Sequence, residues 1–149
     1  MIKKLFISFL LLILTSCGYQ PLYSKKEIKL IVKDLEQIGN VNLNNKIISA
    51  LSIEIDKSNF SNQKIILRSS KQIIETSKNN KGQPDTYKML IDLKFSRIDN
   101  NGIFSEENFS EEFSYKNKDN KFNLSQYEIE IEKNLINKII EKLILYINI

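Results

Sequence analysis

The sequence predicts an α+β fold: a sheet of about four strands with two helices packed on one face, in the order β-α-β-β-β-α. Three observations carry this. Residues 87–95 alternate, with Tyr87, Met89, Ile91, Leu93 and Phe95 on one parity and Lys88, Asp92 and Lys94 on the other, the signature of a half-buried strand. Residues 124–147 instead repeat at helical spacing through Ile131, Leu135, Ile139 and Leu143. The chain has 149 residues, which after removal of a leader is one domain by length and just enough to bury a core.

The remaining elements follow in order. Residues 27–34 place Ile28, Leu30 and Val32 on one face and read as the first strand. After Gly39-Asn40, the residues Leu43, Ile47, Ala50 or Leu51, and Ile55 recur at helical spacing, so a helix is expected over 42–57 with Asn42 or Asn44 as its cap. Residues 64–77 carry Ile65, Leu67, Ile73 and Ile74 and read as a second strand, bulged where the apolar parity slips between Leu67 and Ile74. A turn cluster over 78–85 leads into the alternating third strand, and Asp99-Asn100-Asn101-Gly102 turns the chain into a fourth strand bearing Phe109, Phe113 and Tyr115. Ser125 is the candidate cap of the long last helix. The aromatics of the third and fourth strands are expected to form the sheet's core, against the apolar faces of both helices.

The first residues read differently. Lys3 and Lys4 precede an apolar run over 5–14 in which only Ser8 is polar, a secretory leader about half as long as the roughly 20 residues a membrane span needs. Leu14-Thr15-Ser16-Cys17 has the form of a lipoprotein cleavage site: a branched apolar residue, two small ones, and a thiol to take up diacylglycerol. The expected organisation is a signal peptide over 1–16, a lipidated tether over 17–26 starting at Cys17, and one domain over 27–149. Two or three acyl chains on one residue anchor a protein firmly without spanning the bilayer. Gly18 in place of Asp after the cysteine favours the outer membrane over inner-membrane retention.

Composition excludes several activities. The chain has no histidine and a single cysteine, so a nucleophile–base pair or a thiol–imidazole metal site has no material. Carboxylate pairs occur as Glu106-Glu107 and Glu111-Glu112, but neighbours on a strand point to opposite faces and serve as solvated charges. No enzyme, metal or cofactor is expected. Losing Lys3 and Lys4 reduces the formal charge of +4 to about +2, too little to suggest nucleic-acid binding. Without a second cysteine there is no disulfide framework, and stability must come from packing.

Cys17-Gly18-Tyr19-Gln20-Pro21-Leu22-Tyr23 resembles the start of the mature lipopolysaccharide-assembly lipoproteins, the LptE-type family, especially its alphaproteobacterial branch. The element order is similar to that family's over essentially the whole mature chain, down to paired strands ending at Ser114-Tyr115 and a long final helix. That helix is often Ala- and Arg-rich in the family, whereas here it carries Glu128, Glu130, Glu132, Lys133, Lys138 and Lys142. The resemblance implies a non-catalytic plug and assembly partner of a large outer-membrane β-barrel, the LptD-type protein that inserts lipopolysaccharide into the outer leaflet. The protein would be held by its lipid at the periplasmic face of the outer membrane, with no nucleic-acid partner.

A plug that touches this glycolipid should offer cations beside apolar residues, and the candidates are Arg68, Lys71, Lys88, Lys94 and Arg97. Tyr19, Pro21, Leu22 and Tyr23 on the tether are candidates for contact with the barrel wall or the membrane. The rival reading is a generic structural or adhesive surface lipoprotein with no role in glycolipid export. A periplasmic binder of a small apolar ligand ranks behind both, since it requires a preformed pocket.

Overall fold

A computed structural model describes residues 29–58 and 63–147. The signal peptide, Cys17, and the tether residues Tyr19, Pro21, Leu22 and Tyr23 lie outside the described residues. The elements are β1 (Ile31–Val32), β2 (Asp34–Gly39), α1 (Val41–Ala50), β3 (Glu54–Ile55), β4 (Lys64–Lys78), β5 (Pro84–Asp99), β6 (Gly102–Lys116) and α2 (Lys121–Ile147). The main sheet runs β2-β4-β5-β6, with β2 parallel to β4 and the rest antiparallel; β1 and β3 form a separate two-stranded parallel ribbon.

The expected architecture, two helices over one face of a four-stranded sheet, is present. Met89, Ile91, Leu93 and Phe95 of β5 are all buried, and with Ile65 and Leu67 of β4 they meet Leu43 and Ile47 of α1 and the Ile131, Leu135, Ile139 and Leu143 stripe of α2. Each fully buried side chain of this size contributes about 1.5–3 kcal/mol. The aromatics pack as expected. Tyr115 stacks on Tyr87 at 5.7 Å and meets the edge of Tyr127 at 6.1 Å, while Tyr146 of α2 lies edge-on to Phe95 and Phe109. Phe113 is the exception, 43% exposed near the far end of the hairpin.

Several boundaries differ from expectation, each for a physical reason. The first strand of the main sheet is β2 rather than 27–34; Leu30 and Val32 still face the core, but from the small ribbon. Asp-Leu-Glu-Gln-Ile-Gly reads as polar because β2 is an edge strand, hydrogen-bonded on one side only. α1 ends at Ala50 and not at residue 57, because Ser52 adopts a positive φ of 45° and the chain then extends into β3, which leaves Ile55 exposed. Its cap is Asn40, whose Oδ1 accepts from the Leu43 N–H at 3.1 Å. Asn44 is instead buried and donates to the Ile38 carbonyl at 3.2 Å.

α2 starts three residues earlier than expected. Asn120, not Ser125, caps it, accepting from the Phe122 and Asn123 N–H groups at 2.9 and 3.1 Å. β4 has no bulge between Leu67 and Ile74: its ladder with β5 is continuous from Lys64 to Glu75, and the register shifts only between Glu75 and Lys78. Ile73 and Ile74 do lie on opposite faces, but the hairpin has by then outrun the helices, and both are exposed.

Candidate functional site

Because side chains alternate along a strand, the residues of β4, β5 and β6 that do not face the helices form a second, uncovered face. Arg68 and Ser70 of β4, Lys88, Asp92, Lys94 and Ser96 of β5, and Glu106, Asn108, Ser110 and Glu112 of β6 all lie there by register. Three of the five candidate cations are thus brought together. Lys94 pairs with Glu106 at 2.6 Å, Lys88 pairs with Glu112 at 3.1 Å, and Arg68 sits cross-strand from Lys94. Arg68 and Lys94, but not Lys88, line a shallow depression of about 380 Å³ together with Ser70, Asp92, Asn108 and Ser110.

The polar groups of this face satisfy one another. Asp92 accepts from Ser110 Oγ at 2.7 Å and from Ser70 Oγ at 3.3 Å. Glu106 accepts from Ser96 Oγ at 2.9 Å as well as from Lys94. The Lys94 hydrogen bond, then that of Ser96, hold its carboxyl below the usual carboxylate range, and the Arg68 charge adds to the effect. Arg68 is exposed and forms no ion pair among the described residues, so it is the cation of this face most open to an external anion. Half-buried Ile38, Ile66 and Leu90 share the face and put apolar surface beside the charges.

The other two candidates point elsewhere. Lys71 lies on the helix side, where its ammonium donates to Glu132 of α2 at 2.5 Å. Arg97 shares the parity of Ile65, also toward the helix side, at the end of the ladder. Sequence alone placed Lys71 with Arg68 because it does not show that an acidic residue of the last helix stands over β4. The adjacent carboxylates Glu111 and Glu112 part to opposite faces, Glu111 to Lys142 of α2 and Glu112 to Lys88. No helix among the described residues is long and apolar enough to cross a membrane.

A mixed sheet with a parallel edge strand, a short crossover helix and a long final helix on the same face is a fold that solved bacterial lipoproteins share. Rare lipoprotein B from Shewanella oneidensis matches with a TM-score of 0.52 over 77% of this chain and 96% of that one, at 11% identity. An uncharacterized lipoprotein B from Nitrosomonas europaea matches with a TM-score of 0.54 over 83% of this chain and 88% of that one, at 7% identity. At such identities the likeness is one of fold. No protein-family model matches the sequence, and no curated protein matches it significantly.

Proposed function

We propose that this chain is a lipoprotein acylated at Cys17, held at the periplasmic face of the outer membrane, that plugs and helps assemble a β-barrel inserting lipopolysaccharide into the outer leaflet. The observation that carries the reading is one combination: the Leu14-Thr15-Ser16-Cys17 cleavage site stands ahead of a domain whose fold matches lipoprotein B structures almost end to end. The alphaproteobacterial form of the LptE-type start, Cys17 to Tyr23, adds to it. The role is binding and assembly, with no reaction catalysed and no cofactor.

The helix-free face suits such a task. Barrel interiors are polar, and a polar face on which Lys88 and Lys94 are already paired with carboxylates is suited to line one. Arg68 beside Ile38 and Ile66 supplies the cation-plus-apolar pairing that a phosphorylated, acylated glycolipid requires. Tyr19 to Tyr23 would contact the barrel wall, so deleting Gln20 to Tyr23 should weaken barrel association and leave acylation intact.

The test is affinity capture of the tagged lipoprotein from outer-membrane extracts, with mass spectrometry of what stays bound. A stoichiometric lipopolysaccharide-insertion barrel is the expected result; a preparation without any barrel would favour the generic surface lipoprotein. Charge reversal at Arg68 and Lys94 should weaken binding to purified lipopolysaccharide at least severalfold, and unchanged affinity would remove the glycolipid contact from the proposal.

A further inference from the structure

α1 and α2 lie side by side on the sheet, and between them runs a groove of about 570 Å³. Ala50 of α1 and Ile129, Ile136 and Ile140 of α2 line it with apolar surface, Lys46 and Lys133 stand beside them, and no lining residue is acidic. Ile129 is 56% exposed there. The described chain begins beside one end of this groove. β1 pairs in parallel with β3, the Glu54 N–H donates to the Leu30 carbonyl at 2.9 Å, and Lys29 forms an ion pair with Glu54 at 2.9 Å. Only Leu51, Ser52 and Ile53 separate β3 from Ala50, the last residue of α1. In a parallel pair both chains run the same way, so backward from Leu30 is also backward from Glu54, toward the last turn of α1. The backbone at Lys29 is therefore aimed at the groove.

We propose that this groove is the docking site for the chain's own tether, with Tyr19, Leu22 and Tyr23 covering its apolar wall in the protein free of a barrel. Direction, length and chemistry agree on that occupant. An extended chain spans about 3.3–3.6 Å per residue, so the steps from Lys29 back to Tyr23 reach about 20 Å. α1, with 10 residues, is about 15 Å long, so Tyr23 can lie anywhere along its wall. Residues 18–24 carry no charge and include two tyrosines, a leucine and a proline, whereas Lys25, Lys26 and Glu27 fall in the stretch that bridges from the groove to Lys29. Joined to the domain by so short a chain, the segment competes for the groove at an effective concentration on the order of millimolar. Seated, it leaves only Cys17 and Gly18 between the lipid and the domain, which holds the helix layer close to the bilayer. The docking does not rest on the barrel role; a barrel wall that takes up the same side chains draws them out of the groove.

The test is photocross-linking of the purified, acylated chain in phosphatidylethanolamine vesicles, with p-benzoylphenylalanine in place of Tyr23 and the joined peptides identified by mass spectrometry. Intramolecular cross-links to residues 45–50 or 129–140 are expected. Ile129→Glu should lower their yield at least about fivefold while leaving circular dichroism unchanged, since that side chain is half exposed and its loss opens no cavity. Cross-links to lipid, to another surface of the domain or only between molecules would overturn the proposal, as would no cross-link, or groove cross-links that Ile129→Glu leaves at full yield. No barrel is present in this experiment, so its failure leaves the barrel reading standing, and an affinity capture without a barrel leaves the groove docking standing.

Discussion

Glu132 is the point where three elements meet, and replacing it by glutamine is the most informative single perturbation of the fold. Its carboxylate accepts from Lys46 of α1 at 2.7 Å and from Lys71 of β4 at 2.5 Å, so it clamps both helices to the sheet. Its side chain is 16% exposed, against 28% for Lys71 and 51% for Lys46. The half-exposed Lys46 pair is worth roughly 0.5 kcal/mol. The more enclosed Lys71 bond, charge-assisted, is worth about 1.5 kcal/mol. Glu132→Gln keeps the shape but removes the charge, so it should cost about 2 kcal/mol, or roughly 8 °C of Tm for a domain of this size.

The pH dependence gives a second handle on the same residue. Burial raises the Glu132 pKa, but the hydrogen bonds from Lys46 and Lys71 and their charges outweigh it and leave the pKa below its ordinary 4.5. A depressed folded-state pKa contributes stability that is present above the unfolded value and lost as pH falls through the folded one. Wild type and Glu132→Gln should therefore differ in urea denaturation at pH 7 and converge at a pH acid enough to protonate Glu132 in the folded state. A difference under about 0.5 kcal/mol at pH 7, or one of equal size at both pH values, would refute the clamp.

Other outcomes follow from single contacts. Gly39 has a φ of +87°, and a Cβ there would stand 2.0 Å from the Ser69 carbonyl oxygen, so Gly39→Ala should cost more than about 2 kcal/mol and detach β2; a smaller loss in urea denaturation would contradict the close approach. Asn40→Ala and Asn120→Ala each remove a helix cap and should each cost about 1 kcal/mol, whereas Ser125→Ala should be silent; thermal melts of the three variants decide between the caps. Burial of Tyr115 and its 2.7 Å hydrogen bond to Glu128 raise the phenol's pKa well above its usual 10.0. The stability this confers is full below pH 10 and declines above it, and the absorbance titration of Tyr115→Phe should match wild type to about pH 11. Lost amplitude near pH 10 would show that Tyr115 titrates normally.

Sequence patterns reveal an element when its own burial makes the pattern. β5 is paired on both sides, and its alternation of Met89, Ile91, Leu93 and Phe95 with polar residues was legible for that reason. α2 was legible because one stripe of the helix is buried along most of its length. β2 was not, since an edge strand with Asp34, Glu36 and Gln37 records little burial. Helix starts failed for another reason: any of several asparagines can accept the first N–H bonds, and Asn40 and Asn120 were selected only by where the preceding chain leaves the sheet.

For the candidate site, the residue types and alternation by themselves determined that Lys88 and Lys94 share a face, because they lie six residues apart on one strand, an even number in its two-residue period. Tertiary structure alone decided the rest. Arg68 joined them through the β4–β5 register, and Lys71 left them because Glu132, distant in sequence, stands over its strand. That β2 pairs with β4 only as far as Ser69 was likewise invisible, since it depends on where β2 stops. Periodicity reports the environment of a residue along its own element, while the partner across a ladder or beneath a helix is set by contacts between segments whose separation in the chain carries no local signal.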